Sequence, residues 1–323
     1  MSFAADDRGA EALRRGLTTI APAKVNATLV VGPVRLEDGR HELVSVMQSV
    51  SLVDDVTLRA RDERDAEVPD GTDHGDGIRC AGVEGDNLAL RALAAFRRET
   101  GWDAEPLIVE ITKRIPVAAG MAGGSADAGA VLRLASAASG LATDEQLHAL
   151  AAELGADVAH QLQPGLALAT GAGEQVRRFE GVLDGALVVV ISDQALSTPA
   201  VYRRADELRS PCSAATLEAW RFQIETAITE LDGPQMPSAL AVNDLQDAAF
   251  ELAPGLGATV DAIEGTGADR AMVCGSGPTA IGWFDAPSAA ERAAEALRSG
   301  GYDVRVVVPT NVAPIDLLPQ RHG

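Results

Sequence analysis

The stretch KRIPVAAGMAGGSADAG (113–129) lies between a predicted strand, PLIVEIT (106–112), and a helix of small residues that runs to about Ala138. Backbone N–H groups at the start of a helix have no partner within the helix, and the helix dipole is positive there, so an anion binds well at such a position. Glycines in the preceding turn let the backbone come close to phosphate oxygens. The stretch therefore predicts a phosphate-binding loop between a strand and a helix.

Two common phosphate-binding templates do not fit this loop. It has no Gly-Lys-Ser/Thr, so it is not a P-loop, and Gly120, Ala122 and Ser125 fail the G-x-G-x-x-G spacing of dinucleotide sites. A Gly/Ala-rich turn before a helix is by itself as often structural as functional. The residues outside the loop must decide between these two interpretations.

Hydrophobic periodicity predicts further strands and helices on both sides of the loop. Helix caps support two of the helices: Asn87 and Gly101 at the ends of one, and a Thr143/Gln146 capping box at the start of another. Strands and helices in this mixture indicate an α+β fold. The predicted strands are 18–31, 43–58 (one or two strands), 106–112, 186–192, 270–274, 279–284 and 304–308, and the predicted helices are 87–101, 126–138, 143–155, 214–231, 254–265 and one starting at 288.

The chain has 323 residues, a length that suits two domains better than one. A break near 173–186 divides it into a predicted N-terminal domain, 18–180, and a predicted C-terminal domain, 186–312. The polar residues 1–17 are predicted to form a disordered tail. The acidic stretch 61–76 lacks the closing Glu of a calcium-binding loop and is predicted to be a solvated loop between strands.

The charge balance excludes several classes of partner. The 27 basic residues face 47 acidic ones, a formal net charge of −20, which disfavours nucleic acid and anionic membranes. No apolar stretch is long enough to span a bilayer, and the first residues lack the apolar stretch of a secretion signal. Cys80, Cys212 and Cys274 are widely spaced and predict three free thiols. We therefore predict a cytoplasmic protein without nucleic-acid or membrane partners.

Only two of the basic residues are lysines, Lys24 and Lys113. If this acidic protein binds an anionic metabolite, its positive charge must be concentrated locally, and a lysine supplies the compact ammonium that suits work beside a carboxylate or phosphate. Lys24 lies in a strand-like segment, and Asp157 follows a helix that ends at Gly155. The alternative is a solvated lysine and an aspartate that caps a turn. The use of arginine almost everywhere else favours a specific role for Lys24.

Several short motifs in a fixed order identify a resemblance that covers nearly the whole chain after residue 17. They are PAKVN (22–26), DGRHEL (38–43), GDNL (85–88), KRIPVAAGMAGGSADAG (113–129), LGADV (154–158), STPAVY (197–202) and CGSGPTA (274–280). Together they resemble the GHMP kinase superfamily, named for galactose, homoserine, mevalonate and phosphomevalonate kinases. Both lysines lie within these motifs.

The resemblance implies a two-domain fold, with an N-terminal domain like ribosomal S5 domain 2 and a ferredoxin-like C-terminal domain. Within the superfamily the motifs are most similar to the branch that acts on cytidyl-methylerythritol. The implied reaction moves the γ-phosphoryl group of ATP, with Mg²⁺, to the 2-hydroxyl of that substrate in the non-mevalonate isoprenoid pathway. Such a transfer depends on in-line placement and on neutralising phosphate charge.

The resemblance also implies a set of site residues. Asp157 would be the general base, and Lys24 would orient it and stabilise charge in the transition state. The ATP-binding residues would be Asn87, Lys113, Pro116, Val117, Ala118, Ala119, Gly120, Met121, Ala122, Gly123, Gly124, Ser125 and Ala126, with Ser125 also the candidate Mg²⁺ ligand. The substrate-binding residues would be Asn26, Arg40, His41, Asp157, Tyr202, Gly275, Ser276 and Gly277.

Among the substrate residues, His41 would hydrogen-bond the cytosine edge and Tyr202 would stack on the base. Asn26 would lie beside the methylerythritol, and the turn at 275–277 would close on the substrate phosphate. For the first two the alternatives are a surface histidine and a core tyrosine.

The chain departs from the family pattern at several positions. Arg40 stands where the family usually has tyrosine, although its planar guanidinium can also stack on a base. Ala118, Ala119, Ala122 and Ala126 replace frequent glycine or serine residues, and any alanine that must adopt a positive φ will be strained. Ala159-His160 replaces a Pro-aromatic pair directly after the predicted base.

Two other functions stay open at this point. Another GHMP kinase, of homoserine or mevalonate type, would share the loop and the lysine, but His41 and STPAVY favour the cytidyl substrate. A non-catalytic module is the second alternative, because the implied N-terminal fold resembles RNA-binding ribosomal domains. The net charge of −20 disfavours RNA.

Overall fold

The computed structural model describes residues 7–83, 85–208, 211–230 and 238–311, and it confirms the predicted α+β class. The predicted strands and helices are all present, with ends that differ by a few residues. The strands are β1 (Leu17–Val34), β2 (His41–Ala60), β3 (Gly77–Cys80), β4 (Leu107–Thr112), β5 (Leu166–Thr170), β6 (Gln175–Phe179), β7 (Ala186–Ile191), β8 (Arg270–Val273), β9 (Ala280–Phe284) and β10 (Asp303–Val307). The helices are α1 (Asp7–Arg15), α2 (Leu88–Thr100), α3 (Gly123–Ser139), α4 (Asp144–Leu154), α5 (Ala156–Gln161), α6 (Thr198–Leu208), α7 (Ala214–Glu230), α8 (Gln246–Leu252), α9 (Gly255–Glu264) and α10 (Pro287–Ser299).

The first sheet is built on the long antiparallel pair β1 and β2. Strand β2 also pairs with β5 over 45–48 and with β4 over 55–60, and the sheet order is β3-β4-β2-β5-β6 with β1 attached to β2. The register of β1 shifts between Pro22 and Lys24, which marks a β-bulge. A bulge re-aims the side chains that follow it, and here the next side chain is Lys24.

The second sheet has the order β10-β7-β9-β8, and all neighbours in it are antiparallel. In chain order this is 4-1-3-2, with helices after the first strand and between the third and fourth, which is the ferredoxin-like arrangement. The helices α8, α9 and α10 contribute buried residues to the core that covers this sheet. The ferredoxin-like fold that the motifs imply is therefore confirmed.

The two sheets fall on either side of residues 180–185, and we propose the two domains 18–180 and 186–312 on this basis, although residue 312 lies outside the described residues. The halves are joined where Thr310 N donates to Ser49 O and the Gln48 side chain donates to Thr310 O. Cys80, Cys212 and Cys274 form no disulfide. No helix in the described ranges is long and apolar enough to cross a membrane.

Helix α1 corrects one prediction. The segment 7–17 is ordered: α1 packs against α3, and Leu13 and Leu17 are buried. A methyl group on Gly9 would clash with the carbonyl of Ala138, so the helices touch at backbone distance. The prediction of a disordered tail is wrong for this segment, because Leu13 anchors the helix and Leu17 begins strand β1. Residues 1–6 lie outside the described residues.

The acidic stretch 61–76 corrects a second prediction. Most of it is exposed loop, but Asp65 and Asp76 are fully buried. Asp65 accepts two 2.7 Å hydrogen bonds from Arg59 and one from Arg79, and hydrogen bonding to Arg59 holds the pKa of Asp65 well below its usual range. Asp76 accepts a 2.7 Å bond from the buried Arg97. A solvated loop is therefore the wrong description of these two aspartates, which anchor the segment.

Candidate active site

A cavity of about 990 Å³ opens beside the glycine loop and is lined by residues from both halves of the chain. Its walls come from β1, β2, the loop before α3, the start of α5, the start of α6 and the turn between β8 and β9. Binding pockets for small molecules have volumes of roughly 300–1,000 Å³, so two bulky ligands would use most of it.

The loop before α3 adopts positive φ angles at one glycine and two alanines. The φ angles of Ala118, Gly120 and Ala122 are 59°, 73° and 57°, so two alanines occupy the left-handed region. A methyl group at Gly120 would lie 2.4 Å from the carbonyl oxygen of Gly277, which explains the glycine there. Ala122 is the N-cap of α3 and provides no side-chain cap, so the first N–H groups of the helix stay open toward the cavity.

We predict that Ala122→Gly stabilises the protein. A left-handed residue other than glycine costs about 1–2 kcal/mol, while glycine loses roughly 0.4–1 kcal/mol through the flexibility it adds to the unfolded chain, so the net gain is about 0.5–1 kcal/mol. Urea denaturation measures it. The matched control is Ala119→Gly in the same loop, at a buried residue without a positive φ, which should destabilise the protein. A lower urea midpoint for Ala122→Gly than for the wild type would contradict the inference that Ala122 is strained.

Lys24 and Asp157 meet at the edge of the cavity. Lys24 Nζ lies 3.4 Å from Asp157 Oδ1 and donates a 2.7 Å hydrogen bond to Asn26 Oδ1. Asn26 in turn donates to Ser45 Oγ at 2.7 Å. The Lys24 side chain is only 6% exposed whereas that of Asp157 is 36% exposed. The Asp157 carboxylate is therefore accessible from the cavity, and the buried Lys24 ammonium group, fixed by Asn26, lies beside it.

Lys113 also lines the cavity, but its charge is taken up by two acids. Its Nζ donates to Asp54 Oδ2 at 2.5 Å and to Asp127 Oδ2 at 2.8 Å. Burial alone would lower the pKa of Lys113, yet the two carboxylates raise it. Burial raises the pKa of Asp127 to about 6, against the opposing effect of Lys113. The cluster therefore adds no free positive charge, and of the two lysines only Lys24 faces a single carboxylate.

His41 and Tyr202 form a second wall of the cavity. Their rings are 5.5 Å apart between centroids, and His41 contacts Gly32 O at 2.9 Å through Nδ1 and Asp206 Oδ2 at 3.2 Å through Nε2. Burial, with a contribution from Asp157, raises the pKa of Tyr202 to about 12, so its hydroxyl stays protonated. Arg40 is half-exposed and also lines the cavity. Its guanidinium group donates a 2.7 Å hydrogen bond to Asp38.

The turn between β8 and β9 closes the cavity from the C-terminal half. Ser276 Oγ lies 2.8 Å from Thr198 Oγ1, the first residue of α6. Gly275 has a φ of 58°, and a methyl group there would lie 3.1 Å from Asn26 Oδ1. The turn therefore meets the hydrogen-bonded chain that holds Lys24.

All but two of the predicted site residues line this one cavity. The two exceptions are Ala126, which is fully buried in the helix core, and Gly277, which packs against Val273 and Leu196 and supports Gly120 from behind. Sequence reasoning missed further lining residues of chemical interest: Asp127, Thr198, Arg203 and Asp206. Thr198 and Asp127 lie inside motifs that were recognised, whereas Asp206 carried no signal of its own.

Comparison with known families gives two matches, one within each half of the chain. Residues 87–169 match the GHMP kinases N terminal domain, and residues 230–303 match the GHMP kinases C terminal domain.

Curated relatives match over most of their length. The chain is 41% identical over 281 residues to a 4-diphosphocytidyl-2-C-methyl-D-erythritol kinase of Kineococcus radiotolerans, covering 86% of this chain and 84% of the relative. It is 40% identical to the enzyme of the same name from Pseudarthrobacter chlorophenolicus, covering 89% and 90%.

Solved structures agree with these relatives. A 4-(cytidine 5'-diphospho)-2C-methyl-D-erythritol kinase superposes with a TM-score of 0.68 at 31% identity, covering 90% of this chain and 99% of that one. A homoserine kinase from Cytophaga hutchinsonii superposes with a TM-score of 0.62 at 17% identity, covering 96% and 98%, and at that identity the likeness concerns the fold alone.

Proposed function

The chain belongs to the GHMP kinases and, among them, to the 4-diphosphocytidyl-2-C-methyl-D-erythritol kinase family, and from this premise we propose its reaction. It transfers the γ-phosphoryl group of ATP to the 2-hydroxyl of 4-diphosphocytidyl-2-C-methyl-D-erythritol and releases ADP. The reaction is a step of the non-mevalonate isoprenoid pathway. The observation that carries the proposal is the Lys24–Asp157 pair, 3.4 Å apart, beside an open helix N-terminus in a single large cavity.

In the proposed reaction Asp157 accepts the proton of the 2-hydroxyl as that oxygen attacks the γ-phosphorus. Lys24 holds Asp157 in place and offsets the negative charge of the transition state. The contact with the buried Lys24 fixes the carboxylate beside the cavity, so the position of Asp157 is part of its role.

The glycine loop and the start of α3 are the proposed ATP site. The open N–H groups after Ala122 point a positive dipole end at the cavity, where the phosphates would lie. Asn87 and Lys113 line the same cavity and are assigned to the adenosine side. Asn87 caps α2 by accepting from Ala89 N at 2.9 Å, which fixes the side chain that the nucleotide would meet.

The residues present fit Mg²⁺ as an ion that arrives with ATP. Within the described ranges no three His, Cys, Asp or Glu side chains are grouped to hold a metal. Mg²⁺ in kinases is commonly held by phosphate oxygens, waters and one or two protein ligands. The Ser125 hydroxyl is the proposed ligand, and the cavity-lining Asp127 has a buried Oδ1 atom without a hydrogen-bond partner in the described structure. The ion would neutralise phosphate charge.

The wall formed by His41 and Tyr202 is the proposed cytidyl site. Tyr202 supplies an aromatic surface, and Arg40 offers a planar cation on which a base can stack. His41 is assigned to the cytosine edge: the contact of Nδ1 with Gly32 O fixes the ring, and Nε2, which lies 3.2 Å from Asp206 Oδ2, would exchange that partner for the base. Asn26 is assigned to the methylerythritol, and the turn at 275–276 to the substrate phosphate.

We predict that His41→Ala raises KM for the cytidyl substrate by about tenfold or more and leaves KM for ATP nearly unchanged, because one hydrogen bond to a buried ligand group and the support of Tyr202 are lost. Initial rates at varied concentrations of each substrate measure both constants. His148→Ala, at an exposed histidine on α4 outside the cavity, is the matched control and should change neither. An equal rise in both constants would assign His41 a structural role.

A substrate screen tests the proposed function. The enzyme is supplied with ATP and Mg²⁺ together with the cytidyl substrate, mevalonate or homoserine, and ADP release is followed. We expect turnover with the cytidyl substrate alone. Turnover with mevalonate or homoserine and none with the cytidyl substrate would overturn the proposal.

A further inference from the structure

Helix α5 carries two fully buried polar side chains directly after the turn that holds Asp157. His160 and Gln161 have no exposed surface, although neither faces the cavity. Most buried polar groups are held by specific hydrogen bonds, and here His160 and the amide nitrogen of Gln161 make them, whereas Gln161 Oε1 has no partner within the described residues. They make hydrogen bonds to strand β1, which carries Lys24, and to its neighbour β2.

Gln161 binds the strand that contains Lys24. Its Nε2 donates a 3.0 Å hydrogen bond to Pro22 O, which lies at the β-bulge directly before Lys24. Gln161 is four residues after Asp157, so both lie on the same side of α5. The same helix therefore contacts Lys24 through Asp157 and the backbone of the Lys24 strand through Gln161.

His160 binds the neighbouring strand at the same level. Its Nε2 lies 3.3 Å from the hydroxyl of Ser49, and Ser49 is the cross-strand partner of Lys24. Arg178 Nη1 lies 3.1 Å from His160 Nδ1, and since an arginine can only donate, Nε2 carries the proton and donates to Ser49. Burial, with Arg178 and Lys24, lowers the pKa of His160 well below its usual value, in keeping with this neutral form.

Helix α3 packs closely against α5. A methyl group on Gly129 would lie 2.7 Å from both Cβ and O of Gln161, so the two helices touch at backbone distance. One turn further along α3, Arg133 donates a 2.7 Å bond to Ile20 O, two residues before Pro22. Helix α3 thus contacts both α5, at Gln161, and strand β1, close to Pro22.

We propose that Gln161 and His160 are positioning residues that fix helix α5 on the β1–β2 pair and thereby set the distance between Lys24 and Asp157. The proposal rests on the proposed function, because it assigns the two residues to the same reaction. Neither side chain touches a substrate. They act through the placement of Asp157, because α5 is a helix of only six residues and these two side chains give it its hydrogen bonds to β1 and β2.

The test is the coupling between Gln161 and Asp157. Gln161→Met keeps the size of the side chain and removes the donor to Pro22 O. We expect kcat to fall by about tenfold, since small displacements of reacting groups cost factors of this order, while KM for ATP and for the cytidyl substrate stay within about twofold. In an Asp157→Asn background the same change should lower kcat by less than about twofold, because the group it positions is already lost.

Gln48→Met is the matched control, since Gln48 is also fully buried and hydrogen-bonded but its side chain bonds the backbone of Ser49, Thr310 and Leu183 rather than α5. It should lower the melting temperature and leave kcat within about twofold. His160→Phe repeats the coupling test from the other contact and should show the same loss of kcat that disappears in the Asp157→Asn background.

Three results would overturn the proposal: unchanged kcat in Gln161→Met, an equal loss of kcat in both backgrounds, or the same loss in Gln48→Met. The loss of activity in Asp157→Asn alone tests the proposed function, so a failure of the positioning proposal can be told apart from a failure of the reaction assignment.

Discussion

We expect Asp157→Asn to lower kcat by about 100-fold or more, with the fold intact. A positioned general base contributes roughly 10²–10⁴ to a rate, and an amide cannot accept the proton of the attacking hydroxyl. The substitution keeps the size of the side chain, and its 36% exposure means that little packing is disturbed. Initial rates at saturating ATP and cytidyl substrate measure the effect, and a thermal melt verifies folding.

The matched control for this prediction is Asp144→Asn. Asp144 also lies in the first turn of a helix but is exposed and outside the cavity, so its substitution should leave kcat unchanged. Near-normal turnover in Asp157→Asn would remove Asp157 from the mechanism.

We expect Lys24→Ala to lower kcat by about 100-fold or more, because removal of one preorganised electrostatic group costs roughly 10²–10³ in rate. Lys24 is buried and bonded to Asn26 and Asp157, so its loss leaves Asn26 Oδ1 without its donor and Asp157 without its neighbouring charge. The variant is compared with the wild type in single-turnover rates, which separate the chemical step from product release.

Two further variants at this position sharpen the interpretation. Lys24→Met keeps the length of the side chain and should be as slow as Lys24→Ala, because both variants lack the ammonium group. Lys24→Arg keeps the charge but not the compact ammonium, and it should not restore the rate. Full activity in Lys24→Met would contradict an electrostatic role.

The sequence predicts the fold class, which the structure confirms, and it predicts most of the residues that line the cavity. The reason is that the motifs are local: the loop 113–129 combines strand, turn and helix start in one continuous segment. Even the strain was predictable, since alanines replace residues of a loop that needs positive φ, and Ala118 and Ala122 do adopt it.

The partners of buried charges could not be predicted, because they come from distant parts of the chain. Lys113 is neutralised by Asp54, 59 residues earlier, and Asp76 is buried by Arg97. From composition alone, acidic residues are expected to be exposed to solvent. Only the tertiary fold shows which of them pair with buried basic residues. For this reason the two lysines, which look equivalent in the sequence, differ in the structure.

Short strands and helices were also missed where local patterns are weak. Strands β5 and β6 have five residues each, and α6 begins in the STPAVY motif with a proline in its first turn. Such elements are stabilised mainly by their neighbours in the sheet or core rather than by their own sequence. His160 is noticeable in the sequence only as a departure from the family pattern, and Gln161 carries no signal of its own. Their contacts with Ser49 and Pro22 depend on the fold.

The most direct test of the central claim is a phosphorus NMR spectrum of the reaction of the enzyme with ATP, Mg²⁺ and 4-diphosphocytidyl-2-C-methyl-D-erythritol. We predict one new phosphomonoester resonance that belongs to the 2-position, with the diphosphate resonances of the cytidyl group retained and ADP formed in equal amount. Formation of ADP with only free phosphate, or of a phosphomonoester at another position, would contradict the account.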